Sequence, residues 1–354
     1  MNKKLLAVAV VGALASPAAF AQNVTIYGGI DVGYQNASNY ASGASNHNFI
    51  TSGGDYTSRI GFKGSDDIMA GTTAVFVMEA GISADTGGTD SAGFWQRQVY
   101  GGLDSKQWGA LTIGRQYTHM FNQAGLGGWS TLTLAGWLNP EGFGGSTATQ
   151  LVRASNYVKY SSPNFSGFTA GLGYSPSART AAEVTTPTAT RGTSDGRYWD
   201  GQISWRSGPF GVAFAHNNEK FDDTVDTTEL KRNQLTGKWD NGVFGVFGGY
   251  AKDQATGDEN IKRYWIQPVF RFGGNNEVFG IWGKNKFQGG GTDEKATWWG
   301  IAARHYMTKR TWLYAGYGTT KNDDGVNGTP TTFAASAAAG QDPRGIQVGV
   351  ATTF

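Results

Sequence analysis

Apolar and polar side chains alternate along most of this chain with a period of two. In residues 23–35, NVTIYGGIDVGYQ, the apolar Ile26, Ile30 and Val32 share one face, and Asp31 lies on the other. This is the spacing of a β-strand that has one apolar and one polar face. Sixteen segments of this kind follow one another to the last residue, so the sequence predicts an all-β protein. Pro268 falls inside one segment and predicts weaker pairing there, because proline has no N–H to donate.

The connections between these segments alternate in length. Seven are short, at residues 65–71, 104–109, 163–167, 207–209, 240–242, 273–276 and 307–310, and the acidic pair Asp66-Asp67 belongs to the first of them. Eight are longer, at residues 36–56, 84–94, 116–151, 176–196, 219–228, 253–260, 288–294 and 321–343. Short turns at one end and long loops at the other are typical of an up-and-down antiparallel sheet whose two ends face different compartments.

Residues 116–151 form the longest connection, QYTHMFNQAGLGGWSTLTLAGWLNPEGFGGSTATQL. Loops of this length inside regular architecture are uncommon and are usually disordered linkers or functional elements. The segment is rich in Trp, Phe and Leu and is therefore too apolar for a solvated linker. We expect it to fold against a surface of the protein.

Charged residues occupy mid-strand positions on the polar faces, at Arg59, Arg97, Arg153 and Lys159. A soluble β-sandwich also alternates, but its loops need not alternate in length. Mid-strand charges suit a face that borders water, and about sixteen strands enclose a channel. The sequence thus predicts a 16-stranded antiparallel transmembrane β-barrel, and an exported carbohydrate-binding sandwich remains the alternative. Aromatic residues near strand ends would form its interfacial girdles: Tyr34, Tyr160, Phe168, Tyr174, Trp205, Phe210, Trp239 and Tyr250.

Residues 1–21 have the form of a cleaved signal peptide. Lys3 and Lys4 precede an apolar run, and Ala19-Phe20-Ala21 is an A-x-A cleavage site. The run is shorter than the roughly 20 residues that a membrane helix needs. We therefore expect export, with one domain over residues 22–354.

Composition excludes several other classes. The sequence has no Cys, and loss of Lys3 and Lys4 leaves 27 basic against 27 acidic residues, so neither disulfides nor a nucleic-acid partner is predicted. An enzyme is the rival class, supported by four histidines at 47, 119, 216 and 305, but none of them stands in a nucleophile-elbow or H-E-x-x-H pattern. No metal or cofactor signature and no phosphate-binding G-x-x-x-x-G-K loop is found, so transport would be passive.

Several motifs, in order and spacing, resemble the general porins of Gram-negative outer membranes, in particular those of β-proteobacteria. They are NVTIYGGIDVGY, TSRIGFKGSDDI, RQVYGGLDSKQWGALTIGRQY, VRASNYVKYSSPNFSGFTAGLGY, KRTWLYAGYG and GIQVGVATTF. The resemblance spans the chain. It implies a 16-stranded barrel that assembles as a homotrimer among outer-membrane lipid and lipopolysaccharide, with its third extracellular loop, residues 116–151, folded inward. It also implies that Phe354 is part of the signal for outer-membrane assembly.

The resemblance further implies a constriction where basic wall residues face acids of that loop. The matching basic positions are Arg59, Arg97, Arg115 and Arg153, and we add Lys63 and Lys159 on the wall. Acids are fewer, with Glu79 on the wall and Glu141 as the loop's only acid. We expect a weak to moderate preference for anions among small hydrophilic solutes and ions. His119, Phe121, Trp129 and Trp137 complete the predicted loop set; the aromatic residues would anchor the loop to the wall or, alternatively, form an apolar patch for sugars or aromatic acids.

Overall fold

The computed structural model describes residues 24–41, 46–89, 93–127, 151–178, 196–220, 229–256, 260–289, 292–329 and 337–354. The predicted signal peptide lies outside these residues. The strands are β1 (Thr25–Ser38), β2 (His47–Ser52), β3 (Arg59–Met69), β4 (Thr72–Ser83), β5 (Gly88–Thr89), β6 (Gln98–Ser105), β7 (Gly109–Tyr117), β8 (Arg153–Ser161), β9 (Phe168–Ser175), β10 (Arg197–Ser207), β11 (Phe210–Lys220), β12 (Glu229–Asp240), β13 (Phe244–Ala255), β14 (Asn260–Phe272), β15 (Asn276–Gly289), β16 (Thr292–Tyr306), β17 (Thr311–Asn322) and β18 (Arg344–Thr353). One short helix, α1 (His119–Ala124), leads into a 3-10 turn at Gly125–Gly127.

Sixteen of these strands form a closed antiparallel barrel, as the alternation predicted. Each strand pairs with its neighbour in the chain, and β1 pairs with β18 from Gly29↔Thr353 to Ser38↔Arg344. The two further strands are short additions: β2 continues beside β1 beyond the end of β3, and β5 pairs with β4. Closure gives each of the sixteen barrel strands two partners, which a sheet requires if its backbone is to cross hydrocarbon.

The apolar faces of the strands point outward. Leu172 and Ile113 are 65% and 58% exposed, and Ile203 is also exposed, whereas Asp200 and Ser204 on the opposite face of β10 are buried. An apolar surface directed away from a polar interior is stable only where the surroundings are themselves apolar. This orientation excludes the sandwich, whose apolar faces would meet in a dry core.

The predicted girdle residues lie on the outer surface. Phe168 is paired with Trp205, and Phe210 with Trp239, next to the short turns. Tyr250 lies in the middle of β13, opposite Tyr264, at a second level nearer the long loops. Rings at both levels match the interfaces of a bilayer, where amphipathic aromatics are favoured.

Several predicted connections are wrong because strands extend beyond the apolar band. The predicted loop 288–294 is too long, since β15 runs to Gly289 and β16 begins at Thr292. Likewise β2 and β5 occupy parts of the predicted loops 36–56 and 84–94. Above the membrane, polar residues on both faces continue the hydrogen-bond ladder, so alternation no longer reports the strand.

Two local features of the strands concern the acidic pair Asp66-Asp67 and Pro268. Asp66 and Asp67 lie in β3 and not in a turn, because they still pair with Ala74 and Thr73 on β4. Asp67 also accepts a hydrogen bond from Thr73 Oγ1 at 2.9 Å. Pro268 opposes Val246 on β13, and its pairing with β15 is interrupted around it. The interruption removes the need for the missing N–H. None of the described helices is long and apolar enough to cross a membrane.

Candidate functional site

Glu79 is the centre of a charged cluster on the inner wall. It accepts a hydrogen bond from Arg97 Nε at 2.7 Å and another from the Tyr27 hydroxyl at 3.1 Å. Arg59 Nη1 lies 3.8 Å from its second carboxylate oxygen. The register brings them together, because Glu79 on β4 opposes Gly61, two residues after Arg59 on the same face, and on the other side opposes Gln98, next to Arg97.

Tyr117 joins a third arginine to this cluster. Its hydroxyl accepts from Arg97 Nη2 at 2.6 Å and from Arg153 Nη2 at 3.2 Å, and the Arg153 guanidinium lies 4.8 Å from the centre of its ring. A phenol oxygen and a ring face both attract cations. Tyr117 therefore holds two guanidinium groups close together despite their like charge.

The segment before β3 folds inward and supports Arg59. Its backbone N–H groups at Asp55 and Tyr56 both donate to Asp31 Oδ2 at 2.6 Å, while the Asp55 carboxylate accepts from Arg304 and Trp312 on β16 and β17. Tyr56 accepts from Arg59 Nε at 3.0 Å and lies under its guanidinium. The alternation of side chains did not predict this inward segment. Its signal in the sequence is the Gly53-Gly54 pair, where Gly53 has φ +79°.

The described part of the long loop lies on the inner wall. Thr118 caps α1 by accepting from Phe121 N, and Met120 N donates to Asp200 on β10 at 2.9 Å. Farther along, Trp265 Nε1 on β14 donates to Gly127 O at 2.7 Å. The partners Asp200 and Trp265 belong to the buried, inward faces of their strands. Residues 118–127 therefore cross the interior from β8 toward β14.

His119 anchors the start of this segment. Its ring is only 3% exposed, and Nε2 lies 2.8 Å from Tyr160 O on β8. The ring fits against Gly171, where an added Cβ would lie 2.2 Å from Cε1. Burial and the nearby Lys159 ammonium lower the pKa of His119 to about 4. The ring is therefore neutral near pH 7, with Nε2–H donating to the carbonyl.

The other predicted residues fall into four groups. Lys159 Nζ donates to Tyr117 O at 2.8 Å and Phe121 stacks on the Tyr117 ring at 5.1 Å, so both adjoin the arginine cluster. Lys63 is exposed and lies 5.4 Å from the Tyr27 ring, nearer the short-turn end. Arg115 donates instead to Gln96 O and Ser155 Oγ. The predicted Trp129, Trp137 and Glu141 lie outside the described residues.

The mid-strand assignment of the arginines is wrong. Arg59 and Arg153 are the first residues of β3 and β8, and Arg97 immediately precedes β6. Before β3 the chain folds inward instead of continuing the wall, so β3 begins at the level of the cluster. The arginines thus stand at the long-loop ends of their strands.

A second ionic group on the inner wall was missed. The buried Asp253 accepts from Arg232, which it opposes across β12 and β13, and from Arg263 Nε at 2.8 Å. The sequence did contain a sign of this group, since all three residues stand at strand positions whose side chains point into the barrel. It could be recognised only with the strand register.

A closed barrel of sixteen strands, apolar outside and lined with paired acids and bases inside, defines a channel-forming protein of an outer membrane. Residues 7–325 match the family of Gram-negative porins, and the chain belongs to that family.

Similar proteins agree with this assignment. The chain is 28% identical to outer membrane porin protein 32 of Delftia acidovorans, with all of both chains covered. It is 28% identical to an outer membrane porin of Bordetella pertussis over 89% of this chain and 93% of that one. Among solved structures, an anion-selective porin from Comamonas acidovorans superposes with a TM-score of 0.76 at 25% identity, over 94% of this chain and all of that one. The chain is thus a porin of the Gram-negative outer membrane, and its family is one of channels.

Proposed function

We propose that this porin is a passive, water-filled diffusion channel for small hydrophilic solutes and ions, and that it prefers anions. One observation carries the proposal: Arg59 and Arg97 lie against the acid Glu79, and Arg153 joins them through the Tyr117 hydroxyl. Lys159 adds a fourth positive group beside Tyr117, and the buried Asp200 lies near it. The described part of the cluster therefore holds an excess of positive charge.

Elementary electrostatics gives the size of the effect. A unit charge about 7 Å from an unpaired guanidinium gains about 0.6 kcal/mol in water and about 2 kcal/mol where the effective dielectric constant is near 20. This energy corresponds to roughly a threefold to thirtyfold enrichment of a monovalent anion over an uncharged solute at the same position. Salt in the pore reduces the effect, since the Debye length at 0.1 M is about 10 Å.

We place the constriction where residues 116–151 face the arginine cluster. The inward course of residues 118–127 supports this placement, because it brings the loop to the height of Tyr117 and Asp200. Phe121 is only 9% exposed against Tyr117, which favours anchoring over solute binding for this aromatic residue. Glu141 would neutralise one positive group at most. The excess of positive charge at the constriction then persists.

Three further features belong to the proposal. They are a signal peptide over residues 1–21, assembly as a homotrimer, and contact of the outer wall with lipid and lipopolysaccharide. The name of the Comamonas acidovorans porin, anion-selective, supports the preference proposed here.

The test is the reversal potential of the purified protein in planar bilayers across a tenfold KCl gradient. We expect its sign to be that of chloride permeation, and cation selectivity would contradict the proposal. In the same recordings, conductance lost in groups of three equal steps supports three channels per particle, and single independent steps contradict it.

A further inference from the structure

Four lysines form a continuous row on the outside of the barrel. Lys252 on β13 directly opposes Lys262 on β14, Lys262 opposes Lys286 on β15, and Lys286 opposes Lys295 on β16. We call these four residues the lysine row. Directly opposed side chains have Cβ atoms about 4.5–5.5 Å apart, and like charges placed in this way are destabilising.

The row points away from the pore. Its members are partly or fully exposed, while the alternate residues beside them, Ala251, Arg263, Asn285 and Ala296, are buried in the interior. Within the described part of the chain, no ion pair or side-chain hydrogen bond joins the four ammonium groups to an acid. The nearby Glu229 is already paired with Lys220 and Lys231. Asp293 lies on the same face as Lys295 and forms no ion pair with it among the described residues.

The height of the row relative to the membrane is set by the aromatic residues below it. Two positions closer to the membrane, Tyr250 opposes Tyr264, with ring centres 5.1 Å apart. On the next two strands, Trp282 opposes Trp299 on the same outer face, four positions closer to the membrane than Lys286 and Lys295. Interfacial aromatics lie at the level of lipid headgroups, and two residues of strand span about 7 Å. The row therefore lies just above that level, at the end of the barrel that carries the long loops.

We propose that the lysine row binds the phosphate groups of lipopolysaccharide in the outer leaflet. A phosphate carries up to two negative charges and accepts several hydrogen bonds, so one group placed between two lysines replaces their repulsion by two attractions. Acyl chains of the same lipid would then lie on the apolar wall below. This inference rests on the proposed contact of the outer wall with lipopolysaccharide and is independent of the selectivity of the pore.

The test uses the full-length chain, freed of lipopolysaccharide and held in a neutral detergent. Its affinity is measured for lipopolysaccharide that carries both lipid A phosphates, for the same lipid after dephosphorylation, and for inorganic phosphate. The variant K262Q/K286Q removes the two central charges. The matched control K106Q/K309Q removes two exposed lysines from the short-turn end.

We expect K262Q/K286Q to bind the phosphorylated lipid about thirtyfold more weakly than wild type, given the usual contribution of each lysine near an anionic lipid surface. The control should bind as wild type does. Equal affinity of wild type for the dephosphorylated lipid, or an equal loss in the control, would overturn the proposal. Inorganic phosphate that displaces the lipid completely at millimolar concentration would overturn it too, in favour of a free-anion site.

Stability gives an independent reading. Without lipid, relief of the repulsion predicts that K262Q/K286Q melts at the same temperature as wild type or higher. If the variant fails to fold or melts at a lower temperature, the four lysines do not destabilise the lipid-free protein by repulsion, and the proposal is contradicted. Reversal potentials in neutral-lipid bilayers should match those of wild type, so loss of lipid binding and failure of the proposed anion preference are separately visible.

Discussion

Arg97 donates through Nε to Glu79 Oε1 at 2.7 Å, and both side chains are almost completely buried in the inner wall. The pair neutralises one guanidinium, whereas Arg59 and Arg153 gather around it with no second acid among the described residues of the cluster. The selectivity of the channel therefore depends on a small difference in charge number, and single substitutions should change it measurably.

The substitution Glu79→Gln should increase the preference for anions. It removes the negative charge of the cluster and leaves the size of the side chain unchanged, so we expect the chloride-to-potassium permeability ratio to rise about threefold. Reversal potentials in a KCl gradient measure this ratio. Glu229→Gln is the control, because Glu229 lies outside the barrel with Lys220 and Lys231. A ratio that stays constant or falls in Glu79→Gln would contradict the assignment of this cluster to the constriction.

The substitution Arg153→Gln should act in the opposite direction. One positive charge beside Tyr117 is lost, and the permeability ratio should fall about threefold. Arg115→Gln provides a comparison at the same end of the wall, because the Arg115 side chain donates to Gln96 O and Ser155 Oγ. If Arg115→Gln has the larger effect, the constriction lies nearer to Ser155 than to Glu79.

The substitution Trp265→Phe should loosen the long loop. Phenylalanine retains most of the ring but lacks the Nε1–H that donates to Gly127 O, and the loss leaves a buried carbonyl at a cost of about 1–3 kcal/mol. We expect noisier single-channel currents and faster cleavage of the loop by added protease. Trp282→Phe, on the exposed outer face, is the control. Identical noise and cleavage in the two variants would show that the Trp265 contact does not hold the loop.

Acidification should weaken the same loop through His119. Its pKa of about 4 lies below the ordinary 6.5, so the undocked loop binds the proton more readily than the docked one. Docking is unaffected above pH 6.5, is progressively penalised as the pH falls, and is penalised by roughly 3 kcal/mol at pH 4 and below. Channel closures or current noise should therefore increase between pH 6 and pH 4.

His119→Gln distinguishes this cause from other titrations. Glutamine can donate to Tyr160 O but does not titrate, so its recordings should change less between pH 6 and pH 4 than those of wild type. The same pH response in both proteins would assign the effect to a different group.

The alternation of side chains predicted the strands because lipid imposes it. Ile113 must face hydrocarbon and Thr112 must not, so the sequence itself records which face is which. Outside the membrane no such constraint acts, so side-chain alternation no longer marks the strands. The extensions of β15 and β16 above the membrane are polar on both faces, and the strand β2 beside β1 follows from pairing alone.

The site was predictable in its residue types but not in its contacts. Charged positions on polar faces identified Arg97 and Arg153, yet the tyrosine that joins them, through its hydroxyl and its ring, is brought there by the β7–β8 pairing. Similarly, Asp200 receives the Met120 N–H from 80 positions away along the chain. Such partners follow from tertiary geometry and leave no local pattern.

The pairing of β1 with β18 has a consequence for biogenesis. The first strand to leave the ribosome must wait for the last ten residues of the fold before its second flank finds a partner. Until then, two rows of unpaired amide groups cannot enter hydrocarbon without a cost of several kcal/mol each. A chain shortened before residue 344 should therefore stay in the aqueous periplasm, dependent on chaperones, with every pore residue intact and no route into the bilayer.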